Sequence, residues 1–285
     1  MIMVDFIHYA QRYGVWASIG RAMVNIALAL GVVALVVNFE TPWLAVGLVA
    51  LSKWRVLSVR PRYWWANILR SLPDFVVSLA TVMLVYYVGI SYDELIRNGM
   101  HPTMNVFGFG FEVDAKGVQY GIAAVYAVWL AFIKPLTSER AILWQAGISQ
   151  VVGLMSLFTI ARFIPAYIVV LLTFVIGFAA ARQTLGQHDE SARTLLASAW
   201  GLLLALLGFV CWHWDVQYPL ISVMVPLPQI TIFASVLSFI TVKVYRAWAD
   251  DRKVTWAELG APVVFAIATT LAILIFFSRL FELNP

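Results

Sequence analysis

Apolar runs alternate with short polar connectors along almost the whole chain, at about 22–37, 42–59, 73–90, 118–134, 141–161, 165–181, 194–214, 219–242 and 255–278. Most of these runs approach the roughly 20 residues that a helix needs to cross a hydrocarbon layer about 30 Å thick. The pattern predicts an all-α, polytopic transmembrane helical bundle of about nine spans, built as a single membrane domain over residues 1–285. Residues 1–21 start too polar to span. Ile2, Phe6, Tyr9, Tyr13 and Trp16 share one helical face while Asp5, His8 and Arg12 lie off it, so an N-terminal interfacial amphipathic helix is expected there. The first long run ends in Asn38-Phe39-Glu40-Thr41-Pro42 without a small-residue cleavage pattern, and is read as a retained span.

Start and stop residues refine these boundaries. Thr41-Pro42 suits a helix start, but only about ten residues separate it from Lys53. A second span is therefore expected to extend to about Val59, with Lys53 and Arg55 snorkelling toward the surface. Ser71 and Asp74 have capping-box spacing around Pro73, which predicts a fresh helix from there to about Ile90, preceded by a short interfacial helix bearing Trp64, Trp65, Ile68, Leu69 and Leu72. Residues 91–117 form the long polar insertion: Ser91-x-x-Glu94 opens a short outer helix, Asn98-Gly99 closes it, and the segment from Phe107 to Gly117 reads as two extended pieces around a turn. Gly108 and Gly110 lack the third glycine and the strand-to-helix setting of a nucleotide-binding loop. Pro226 and Pro228 interrupt the eighth run, and Thr255-x-x-Glu258 opens the ninth.

Composition supports the membrane reading, since 62% hydrophobic and 12% charged residues lie far from the ~45–50% and ~25% of soluble domains. Mean hydropathy is +0.86. A net charge of +4 does not imply nucleic acid, because the basic residues cluster in short connectors beside apolar runs. With the N-terminus in the cytoplasm and the C-terminus on the outer side, only Arg97, Lys116, Arg162 and Arg279 of the nineteen Lys and Arg fall outside. The stretch Lys53–Asp74 is the densest, holding Lys53, Arg55, Arg60, Arg62 and Arg70 with three tryptophans. Its expected partners are anionic lipid headgroups or an acidic protein surface.

Candidate chemistry is sparse. In the run 141–161, Gln145, Ser149, Ser156 and Thr159 fall within an arc of about 80°. Pro226 and Pro228 remove backbone donors beside Gln229, and interrupted membrane helices often border binding sites. The expectation is a hydrated substrate site where Gln145 and Ser149 approach Gln229, in a transporter or permease for a small organic or lipid-like substrate. The rival expectations are a non-catalytic subunit or scaffold of an envelope complex, and an integral enzyme acting on a lipid-linked substrate. No acidic residue is placed in mid-span, which argues against a pump built on an intramembrane carboxylate. Cys211-Trp-His-Trp-Asp215 is read as an interfacial aromatic cluster, and with one cysteine and scattered histidines neither a metal nor another cofactor is expected. Small residues recur every fourth position as Thr173, Gly177, Ala181 and as Ala197, Gly201, Ala205, which predicts a tight helical hairpin.

The cation distribution makes a direct prediction. In a Cys211→Ser background, Arg62→Cys and Lys116→Cys are expected to react with an impermeant thiol reagent from opposite faces of the membrane. Labelling of both from one face of intact cells contradicts this topology.

Overall fold

A computed structural model describes residues 15–58, 60–100, 103–106, 109–112, 114, 115–187, 190–214, 216–219, 224–251, 260–268 and 271. Residues 1–14 of the interfacial helix expected over 1–21 and most of the ninth run lie outside them, while 15–21 belong to the first long helix and 260–268 is helical. The helices are α1 (Val15–Phe39), α2 (Trp43–Ser52), α3 (Trp54–Leu57), α4 (Trp64–Arg97), α5 (Ala115–Val128, continued by a π turn at Trp129–Ile133), α6 (Glu139–Thr159), α7 (Ala166–Leu185), α8 (Arg193–His213) and α9 (Gln229–Asp251). Two antiparallel hairpins complete them: β1 (Thr103–Val106) with β2 (Phe109–Glu112), and β3 (Gln217–Pro219) with β4 (Pro226–Pro228). Seven helices among the described residues are long and apolar enough to cross a membrane. The chain is a multi-pass helical membrane protein.

Two apolar cores divide the bundle. The first joins α1, α2, α4 and α5 through Val32, Val33, Val49, Val82, Tyr126 and Leu130. The second joins α6 to α9 through Leu154, Phe158, Ile176, Leu204 and Ile230. Between them, Leu84, Val88 and Met155 close on Met224 and Val225 just before β4. Large apolar side chains such as Leu171, Leu195, Leu202 and Leu206 remain exposed, as lipid-facing positions require.

Four boundaries differ from the sequence expectation. The run 42–59 does not form one span: α2 stops after ten residues, about 15 Å of helix, and Lys53 closes it with its backbone N–H on the carbonyls of Ala50 and Leu51. Nor does a new helix start at Ser71. Helix α4 runs unbroken for 34 residues through Pro73, and the Ser71 hydroxyl donates back to the Asn67 carbonyl instead of capping. A proline costs a helix one donor, and at Pro73 the remaining packing absorbs that loss. The same helix continues through Ser91 to Arg97, so the separate outer helix is absent, while its expected stop is found: Gly99 takes the left-handed conformation (φ 72°) and Met100 N–H reaches the Leu95 carbonyl.

The fourth difference concerns Pro226 and Pro228. They do not break a membrane helix but form β4, and α9 begins only at Gln229. Three of the six residues in this hairpin are prolines (Pro219, Pro226, Pro228), which have no N–H to leave unpaired where both strands are sheet edges. Met224 at its base is completely buried. Irregular backbone of this kind is tolerated at membrane depth only where protein surrounds it.

The small-residue hairpin is present. A Cβ on Gly177 would sit 2.8 Å from Leu204 Cδ1 and 3.3 Å from Gly201 Cα, and one on Gly201 would meet the Phe174 carbonyl oxygen at 2.9 Å. At Gly31 the nearest atom is the movable end of Leu48, at 3.2 Å. Gly201→Leu is therefore expected to destabilise by about 1–3 kcal/mol more than Gly31→Leu in detergent unfolding, because a backbone oxygen cannot rotate away. Equal losses would show that the α7–α8 approach is not limiting.

Candidate functional site

Asp74 lies in α4 directly after Pro73, and its Oδ2 accepts from Lys53 at the end of α2 and from Lys134, 2.8 Å away, just past the π turn of α5. Three elements converge here, since α2 and α5 both end beside Asp74 of α4. Side-chain exposure grades from 5% for Lys53 through 17% for Asp74 to 39% for Lys134, so the cluster opens on the Lys134 side. Two ammonium groups against one carboxylate leave an excess positive charge. Removing such ions from water costs several kcal/mol each unless partners and hydrogen bonds replace the solvent.

The replacement is incomplete in a specific way. Asp74 Oδ1 is buried without a hydrogen-bond partner among the described groups, and the Tyr126 hydroxyl is buried beside Ser78 and within electrostatic reach of Asp74. The π turn below them widens the helix, with Lys134 N–H reaching back five residues to the Trp129 carbonyl at 2.8 Å. Asn25 of α1 donates to the Leu130 carbonyl exposed by this turn, at 2.9 Å. Single π turns are frequent at functional sites.

The residues singled out from the sequence are placed as follows. Gln145 donates to the carbonyls of Ile133 (2.8 Å) and Leu136 (3.0 Å) and accepts from Gln183 (3.0 Å), so its amide caps the end of α5 and ties α6 to α7. Ser149 and Thr159 donate to carbonyls of their own helix, and Ser156 is buried beside them. Gln229 starts α9, with its N–H on the Val216 carbonyl at 2.8 Å. Gln145 does not approach it. Helices α6 and α9 do meet, but through Gln150, which donates to Ser238 (2.7 Å) and the Ala234 carbonyl (3.3 Å) and accepts from Trp200 (3.2 Å). Gln145 lies five residues from Gln150 toward one end of the bundle and Gln229 five residues from Ala234 toward the other, a separation of about 15 Å along the axes. Pro226 and Pro228 belong to the hairpin.

Lys53, expected at the lipid surface, is turned inward. Arg55 lies in α3, while Arg60, Arg62 and Arg70 are exposed, with Arg62 stacked 4.6 Å over the Tyr63 ring. At this same end of the bundle the helices are fastened by charged and polar groups: Arg193 Nε donates to the Arg182 carbonyl (2.7 Å), Arg246 lies 3.9 Å from Glu139, and the Tyr245 hydroxyl donates to Glu190 (2.7 Å). That hydrogen bond holds the exposed Glu190 carboxyl below the usual carboxylate range. The opposite end is joined by Arg162 to Glu94 at 3.1 Å and by Gln217 to the Phe158 carbonyl at 3.1 Å. His213 contacts the Phe209 carbonyl, and among the described residues no cluster of His, Cys, Asp and Glu has metal-binding geometry.

Sequence reasoning missed Asp74, Lys134, Gln119 and Gln150. Asp74 had passed for a capping residue. Its signal was indirect: a lysine ten residues after a helix start, with too little chain to span, needs a buried counter-charge. Comparison of the chain with models of protein families, with curated proteins and with solved structures found no match in any of the three.

Asp74→Asn is expected to cost about 3–5 kcal/mol of stability, since it strands a buried ammonium. Lys134→Gln is expected to cost no more than about 1 kcal/mol, because that side chain reaches solvent. Adding Lys53→Met to Asp74→Asn is expected to recover most of the loss. Denaturant unfolding in detergent measures all three, and a double variant as unstable as Asp74→Asn alone would remove the pairing argument.

Proposed function

We propose that this protein is a transporter or permease for a small organic or lipid-like substrate carrying an acidic group, with the N-terminus and the Arg60–Arg70 end in the cytoplasm and the chain's C-terminus on the outer side. The observation that carries this reading is the Lys53–Asp74–Lys134 cluster: an ionisable group within a membrane bundle is expensive, and it usually marks a substrate or ion path. Its excess positive charge favours an anion. The unpartnered Asp74 Oδ1, with the Tyr126 hydroxyl near it, offers an acceptor that water or a substrate can satisfy. Toward the other end, the proline hairpin inserts Met224 and Val225 between α4, α5 and α6, as a plug above such a path. Orientation rests on the cation count, since membrane proteins retain Lys and Arg in cytoplasmic connectors.

A second reading, a non-catalytic membrane subunit or scaffold of an envelope complex, is supported by the close packing of α6. Its polar stripe is engaged in fastening helices together, and the exposed arginines would then be a docking face for a protein partner.

The two readings separate in reconstituted vesicles containing a fluorescent phosphatidylglycerol analogue, with an impermeant quencher added outside. Wild-type protein is expected to bring inner-leaflet probe to the quencher, and the charge-neutral pair Lys53→Met with Asp74→Asn to slow this about tenfold or more, the loss of roughly 1.4 kcal/mol in the barrier step. Wild-type vesicles no faster than empty ones, or a neutral pair as fast as wild type, would falsify the transport reading for this probe and favour the scaffold.

A further inference from the structure

Helix α2 covers only about half of the hydrocarbon thickness, so the space continuing its line toward the basic end is left to α3, Ser58 and residues 60–63. A cavity of about 390 Å³ opens there, lined by Ala50, Lys53 and Val56 on one side and Ile68, Leu72 and Phe75 on the other. The second set repeats at i, i+4 and i+7, a single stripe of α4. The walls are joined by Asn67, whose amide donates to the Val56 carbonyl at 3.4 Å. The volume falls within the ~300–1,000 Å³ of ligand pockets, and its lining is almost wholly apolar. In a bilayer such a notch fills with something apolar.

Charge decides what the occupant carries. Arg60 and Arg62 stand in the connector beside the start of α4, exposed, and no described acidic group pairs with them. Trp64 and Trp65 flank them, also exposed, as indole rings do at headgroup depth. Lys53 forms part of the wall, and its ammonium shares Asp74 with Lys134, so the deep end is also net positive.

We propose that this notch is a binding site for one anionic phospholipid, with an acyl chain against Ile68, Leu72 and Phe75 and the phosphate at Arg60 and Arg62. The site rests on the missing half-span and the two arginines, and it stands whether or not any substrate crosses the membrane. Bound there, the lipid fills the notch that the short α2 leaves beside Lys53.

Native mass spectrometry of the full chain in mild detergent, titrated separately with phosphatidylglycerol and phosphatidylcholine, tests the proposal. Wild type is expected to retain one phosphatidylglycerol about tenfold or more tightly than one phosphatidylcholine, because the two arginines attract the anionic headgroup. Arg60→Gln with Arg62→Gln is expected to abolish that preference. Leu72→Trp, or Ile68→Trp if the first variant does not fold, fills the notch and is expected to weaken both lipids. Arg70→Gln, roughly opposite the stripe on α4, is expected to change neither. The proposal is overturned if the double arginine variant keeps the preference, if the notch-filling variant binds as wild type does, or if wild type retains no lipid, which would mean that protein already covers the notch.

Discussion

A buried ammonium and a buried carboxylate are tolerable in this bundle only together, and the Lys53–Asp74 contact therefore constrains three helices at once. It sets where α2 stops, because Lys53 must leave the helix to reach Asp74. It sets the rotation of α4, because Asp74 must face the first core while Ile68, Leu72 and Phe75 turn to the notch. Through Lys134 it also sets the end of α5, where the π turn absorbs the extra residue needed to bring that side chain into place. The shortness of α2, the length of α4 and the irregular end of α5 are one adjustment.

Elsewhere in the interior, polar side chains serve carbonyls. Gln119 donates to the Val85 carbonyl, Gln145 to the end of α5, Gln150 to Ala234, and Asn25 to Leu130. Each spends an amide donor on an oxygen of a neighbouring helix, where no water would replace it. The hairpin before α9 solves the same problem from the other side, since its prolines reduce the number of donors that need partners. Both devices reduce the number of unpaired backbone groups where the chain departs from regular helix.

The two ends of the bundle consequently differ in kind. One is basic, fastened by ion pairs and hydroxyl contacts, with the charged cluster and the apolar notch opening toward it. The other carries a buried hairpin, the Glu94–Arg162 pair and the Trp212 indole donating to the carbonyls of Ala161 and Ile164. The first end holds the buried charged cluster, and the second is filled by the apolar packing of Met224 and Val225.

From the sequence alone the class of protein was legible, because apolar runs of membrane length and cations confined to connectors are local properties of the chain. So were the Gly99 stop and the Gly177–Gly201 approach, since a left-handed turn and a close helix crossing each need a residue type that short-range spacing reveals. The chemistry at Asp74 was not legible. Its partners lie 21 and 60 residues away, and whether an acid after a proline caps a helix or buries itself depends on which lysine the fold brings to it. The polar stripe on α6 shows the same limit: one face of a helix can be drawn from sequence, but whether that face meets water, a substrate or the carbonyls of α5 is decided by where the neighbouring helix ends.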